Sequence, residues 1–157
     1  MGWWEERRAW QTITIAQMGA GAVLAGGVFF IQFRSAGISA RPVFVLTAVG
    51  AGFGGSIGSA VSIPYAEIVR DLRNPRRQSQ LDQIMWSDAG TFEMGRLNMG
   101  FGNVASVGGS AVVIGAQLTA LRGEDQSGNR LFSTHTSLSS LNDILNLPGA
   151  QGGFGAG

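Results

Sequence analysis

Residues 43–58 read Val43-Phe-Val-Leu-Thr-Ala-Val-Gly50-Ala-Gly-Phe-Gly-Gly-Ser-Ile-Gly58, and their conformation decides what kind of protein the chain forms. As strand with bends, the branched and aromatic residues at 43–49 fit a pleated sheet, while the glycines allow close approach of a second backbone. As continuous helix, each glycine costs roughly 1 kcal/mol relative to alanine. As strand, turn and helix, the stretch frames a nucleotide site. The branched side chains favour strand. Working outward, Val28-Phe-Phe-Ile-Gln-Phe33 is rich in strand formers, and the turn at 36–41 leads into Pro42, so 28–33 and 43–49 make a hairpin. The stretch 100–121 repeats the Gly/Val texture and is expected to be strand.

The middle of the chain differs. Ile68, Val69 and Leu72 share a helical face, and Asn74-Pro75 ends that helix. A second short helix is expected at 77–86, with Leu81, Ile84 and Met85 facing inward. Residues 3–10 read as an amphipathic opening turn, 87–95 as polar turn, 123–130 as loop and 137–147 as a last helix. The expected fold is mainly β (α+β): a Gly-rich twisted antiparallel sheet or small barrel with two to three short helices. It forms one domain over 1–147, followed by a flexible Gly-rich tail at 148–157.

Composition narrows the function. The 157 residues include 25 glycines, one histidine and no cysteine, and all eleven Lys+Arg are arginine. Without cysteine there is no disulfide framework, no cysteine zinc site and no thiol nucleophile. A net charge of +1 argues against a nucleic-acid partner. Three uncharged runs, 9–33, 42–66 and 97–121, are each 25 residues long, enough for a helix to cross a bilayer. A small integral membrane protein with Gly-rich helices is therefore an alternative. The polar residues and prolines in the second and third runs count against it. Arg7 and Arg8 precede an apolar stretch, but Glu5 and Glu6 spoil a positive leader, so no cleaved signal peptide is assumed. The expected location is membrane-associated or cytoplasmic.

Gly50, Gly52 and Gly55 fit the G-x-G-x-x-G spacing after an apolar run, a second alternative in which the glycines would hold a dinucleotide. The required helix would carry Gly58 and stop at Pro64, which weakens the match. No cofactor is expected on the leading reading. A longer resemblance begins with the aromatic strand at 28–33 and Pro42-Val43-Phe44. It continues through Ala-Gly-Phe-Gly-Gly-Ser-Ile-Gly at 51–58 and Gly102-Asn103-Val104-Ala-Ser-Val107-Gly108-Gly109. In that order these segments resemble the SYLF-domain lipid-binding family. The resemblance implies a Gly-rich β domain that contacts membrane lipids, including phosphoinositides.

Two clusters suit a lipid surface. Trp3 and Trp4 with Arg7 and Arg8 have the composition of an interfacial anchor, or of a turn packed on the domain. Arg70, Arg73, Arg76 and Arg77 flank Asn74-Pro75 and either clamp headgroups or form a solvated helix end. His135 sits among threonines and reads as loop or cap, and Asp88 and Glu93 likewise read as loop and cap residues, so no catalytic residue is assigned. The leading expectation is a non-catalytic lipid- or membrane-associating protein, its partner a membrane lipid or apolar ligand. Self-association into a homo-oligomer through the same apolar surface is part of it.

Overall fold

In the computed structural model, residues 2–17, 26–49, 54–59, 66–106 and 118–140 are described. The fold is mainly β with two short helices. β1 (Arg7–Gln17) leads to β2 (Gly26–Arg34) and β3 (Val43–Val49), which form the expected hairpin, in register from Gly26↔Val49 to Gln32↔Val43. β4 (Gly54–Ser59) turns back antiparallel onto β3, pairing Gly54 with Val49 and Ser59 with Phe44. The helices α1 (Ala66–Leu72) and α2 (Pro75–Leu81) follow, then β5 (Ser87–Glu93) and a 3-10 turn at Met94–Leu97. β6 (Phe101–Ser106), β7 (Leu118–Glu124) and β8 (Arg130–Ser140) complete the described strands.

The strand order is β2-β3-β4-β6-β7-β8-β1-β5, and β1 also pairs with β2. One edge of β1 holds β2 from Gln11 to Gln17. The other edge is divided: β5 takes Arg7 to Thr12, and β8, running parallel, takes Thr14 to Ala16. A register shift between Trp10 and Gln11 lies within the β5 pairing, and such a bulge bends and twists the strand that carries it.

Alternation along the strands builds two cores. Phe29, Ile31 and Phe33 of β2 share a face with Phe44 and Leu46 of β3, and with Trp10, Phe92, Val104, Leu121 and Phe132 from the other strands. Phe30, Val43 and Val45 point to the opposite face with Ile13 and Ile15. There Val69, Leu72 and Leu81 of the helices cover them. Strands buried on both faces read as near-continuous apolar runs, which explains 28–33, broken only by Gln32, and 43–46. In the first core, Phe33 is the hub. Its ring meets those of Trp10, Phe44, Phe92 and Phe132 edge-on, at centroid distances of 6.4, 6.0, 6.0 and 5.6 Å. Gly123 makes room for this packing: a Cβ there would lie 2.3 Å from Cε1 of Phe132.

Several local expectations are corrected. Arg7–Trp10 is strand rather than part of an opening turn, because it pairs with β5. The polar stretch 87–93 is itself strand β5, with only Ala89 and Phe92 turned into the core. The segment expected as helix from 137 is strand through Ser140, and His135 lies in β8 opposite Ala120 rather than in a loop. The rest of that expected helix and the tail at 148–157 lie outside the described residues. The second helix spans 75–81 because Pro75 occupies its first turn and Asn74 caps it, accepting the Arg76 N–H at 2.9 Å. Met85 lies beyond that helix and is exposed.

Among the described residues no helix is long and apolar enough to cross a membrane, and the run 9–33 is divided between β1 and β2. Phe33→Ala is expected to cost about 3–5 kcal/mol, the usual range for emptying a buried phenylalanine site. Met85→Ser is expected to change stability by less than about 0.5 kcal/mol. Urea titration monitored by circular dichroism compares the two; equal midpoints would refute Phe33 as the hub.

Candidate binding site

The N-terminal turn is fixed from three directions. Trp3 meets Trp4 edge-on at 5.2 Å and Trp10 at 6.1 Å, which ties it to the core. Trp4 stacks on Phe44 at 5.8 Å with 25° between the planes. The Gly95 N–H donates to the Trp4 carbonyl at 2.9 Å. Gly95 leaves no space for a larger residue, since a Cβ would sit 2.7 Å from the Trp4 indole. Trp4 nevertheless keeps 36% of its surface in solvent. An indole that is anchored on one face and open on the other suits a boundary between apolar and wet surroundings.

The α1–α2 corner is equally built. Its hinge is Asn74-Pro75, and Arg77 bridges the two helices from inside. That guanidinium is 4% exposed and pairs with Asp71 at 3.0 Å, with Gln80 accepting at 3.3 Å. Arg77 is thus a structural brace rather than a headgroup ligand. Arg70, Arg73 and Arg76 are exposed on the same corner. Below it, Arg34 and Arg41 share the Asp82 carboxylate at 3.0 and 2.7 Å. Both guanidiniums lie over Trp86, with Cζ 4.3 and 5.7 Å from the ring centroid.

Turn and corner converge on a cavity of about 430 Å³. Trp3, Trp4 and Phe44 supply aromatic wall, Arg41 and Arg73 supply charge, and Gln78 a neutral polar group. Among the described residues no carboxylate lines it. The structure therefore brings Trp3, Trp4 and Arg73 together across the chain. It does not bring Arg7 or Arg8 to the cavity: Arg7 pairs with Glu93 at 3.6 Å, and Arg8 pairs with Glu6 and donates to the Ala36 carbonyl at 3.2 Å. Arg41 and Phe44 escaped sequence reasoning. An isolated arginine before Pro42 carries no cluster signal, and Phe44 read as an apolar strand residue within the family resemblance, not as the wall of a cavity.

Of the alternative cofactor glycines, Gly50 and Gly52 lie outside the described residues, while Gly55 lies in β4, antiparallel to β3. A strand stands where the fingerprint needs the start of a helix. No family model, curated protein or solved structure matches this chain.

Glu93, weighed above with Asp88, and Asp125, which carried no signal in the sequence, are both engaged as acceptors. Glu93 is held below its ordinary pKa by a backbone N–H, with Arg96 and Arg7 adding to the effect. Asp125 is lowered first by the Arg96 side chain, 2.8 Å away, and then by the Asn129 and Ser127 N–H groups. A lowered carboxylate pKa stabilises the fold at pH above the ordinary value of 3.8, and that contribution is lost as pH falls through the lowered folded value. Asp125→Asn is accordingly expected to be less stable than the wild type at pH 7, with the difference closing as the pH falls below the ordinary carboxylate value and through the lowered folded one. Thermal unfolding across that range measures it; a pH-independent difference would contradict the ionic role of Asp125.

Proposed function

We propose that this protein is a non-catalytic, β-rich protein that associates with acidic lipid surfaces through the face where the N-terminal tryptophans meet the α1–α2 corner. One observation carries the reading. Trp3 and Trp4, near the start of the chain, and Arg73, far along it, line the same cavity, and Arg70 and Arg76 are exposed on the corner to which Arg73 belongs. Tryptophan favours the headgroup level of a bilayer, and arginine near an acidic surface contributes about 1 kcal/mol per residue. The resemblance of the Gly-rich strands to a lipid-binding family points the same way. The return of the pairing order to β2 through β1 supports the finer part of the reading, a sheet wrapped into a small barrel around the aromatic core. The exposed Met99 and Phe101 favour a second reading, self-association through the outer side of β6. Sedimentation of the lipid-free protein over a range of concentrations separates it from lipid binding.

The test is flotation with vesicles of neutral lipid, with and without acidic phospholipid, at low and high salt. Binding is expected only to the acidic vesicles and is expected to weaken with salt. Replacing both Arg70 and Arg73 by glutamine is expected to reduce it about 30-fold, the equivalent of two surface arginines. Equal flotation with neutral vesicles, or an unaffected double variant, would overturn the proposal.

A further inference from the structure

The cavity has a chemistry of its own, apart from any flat membrane contact. Its volume of about 430 Å³ lies in the lower part of the range for small-molecule sites, ~300–1,000 Å³. It is roughly fourteen times the ~30 Å³ that one water occupies in the liquid, enough for a one- or two-ring molecule but not for a two-chain lipid. Its wall is rigid: Trp4 is stacked on Phe44, and Phe44 is packed edge-on against the hub, Phe33.

Its charge is of one sign. Among the described residues Arg41 and Arg73 are the charged lining side chains, and no carboxylate joins them there. Among the described residues no carboxylate lies within ion-pair distance of Arg73, and none meets Nη1 of Arg41. Arg41 is held in place from behind, Nη2 on Asp82 at 2.7 Å, while Nη1 is buried with no acceptor. Nη1 has no surface open to the cavity, so the exposed Arg73 guanidinium is the donor that an oxyanion there meets, with the Arg41 charge beside it. Guanidinium forks match the paired oxygens of a carboxylate, and aromatic walls match a flat apolar body.

We propose that the cavity between the Trp3-Trp4 turn and the α1–α2 corner binds one small amphipathic organic acid, its carboxylate toward Arg41 and Arg73 and its flat apolar body against Trp3, Trp4 and Phe44. This site does not rest on the vesicle reading, since the ligand is a soluble molecule bound one at a time.

Calorimetric titration with 1-naphthoate tests it. Saturable binding at one per chain is expected, with naphthalene-1-methanol, the same rings without the charge, at least tenfold weaker. Inorganic phosphate is expected not to compete at concentrations at which naphthoate saturates. Arg73→Gln is expected to weaken naphthoate at least tenfold, and Ala40→Leu, which adds volume at the cavity wall without changing charge, to abolish binding. Because Arg73 is exposed, its variant carries the test if Ala40→Leu fails to fold. Absence of one-to-one binding, equal affinity for the alcohol, full displacement by phosphate or indifference to Arg73→Gln would each overturn the assignment. Vesicle flotation without naphthoate binding would remove this site and leave the surface reading standing; the reverse result would do the opposite.

Discussion

The edge-on packing of four aromatic rings around Phe33 is the contact on which the rest of the structure depends. Trp10, Phe44, Phe92 and Phe132 come from β1, β3, β5 and β8, so a single ring on β2 holds together strands that are far apart in sequence. The same network reaches the candidate site. Phe44 touches Phe33 on one side and stacks under Trp4 on the other. The wall of the cavity is therefore an extension of the core, and the N-terminal turn is positioned by packing rather than by its own hydrogen bonds alone.

β1 imposes a second constraint. Its inner edge offers more pairing length than β5 uses, and β8 occupies the remainder in parallel. This sharing explains how a chain of hairpins, each local in sequence, is gathered around one core. It also explains why Thr12 and Thr136 are tolerated there: Thr12 donates to the Gln32 carbonyl and Thr136 to the Thr12 carbonyl, at 2.9 and 3.1 Å. These two buried hydroxyls are satisfied by neighbouring strand carbonyls.

The hairpin at 28–33 and 43–49 and the helix at 68–72 were legible because burial on both faces leaves an apolar run, and burial on one face leaves a helical period. β5 was not legible. Its alternation is carried by Ala89 and Phe92 alone, and its polar residues read as a turn. β8 was misread because Leu138 and Leu141 sit at a helical spacing, whereas Thr134 and Thr136 in fact line a sheet, opposite Leu121 and Thr119. Of the site, the tryptophans and the corner arginines were visible as clusters. Their division of labour was not: Arg77 braces two helices, Arg7 and Arg8 are tied into ion pairs, and Arg73 is the clustered arginine that joins Trp3, Trp4 and Arg41 at the cavity. Sequence proximity cannot distinguish a paired guanidinium from an open one; that depends on carboxylates such as Asp71 and Glu93, brought up by the fold.

Trp4, anchored on Phe44 and open to solvent, is the residue proposed to meet lipid. Quenching of tryptophan fluorescence by acidic vesicles containing brominated acyl chains measures this directly, because bromine quenches only indoles that approach the chains. Trp10 is buried at 1% exposure and should be unaffected. Strong quenching is expected in the wild-type protein, and loss of most of it in Trp4→Phe. Quenching that persists undiminished in that variant would contradict that role.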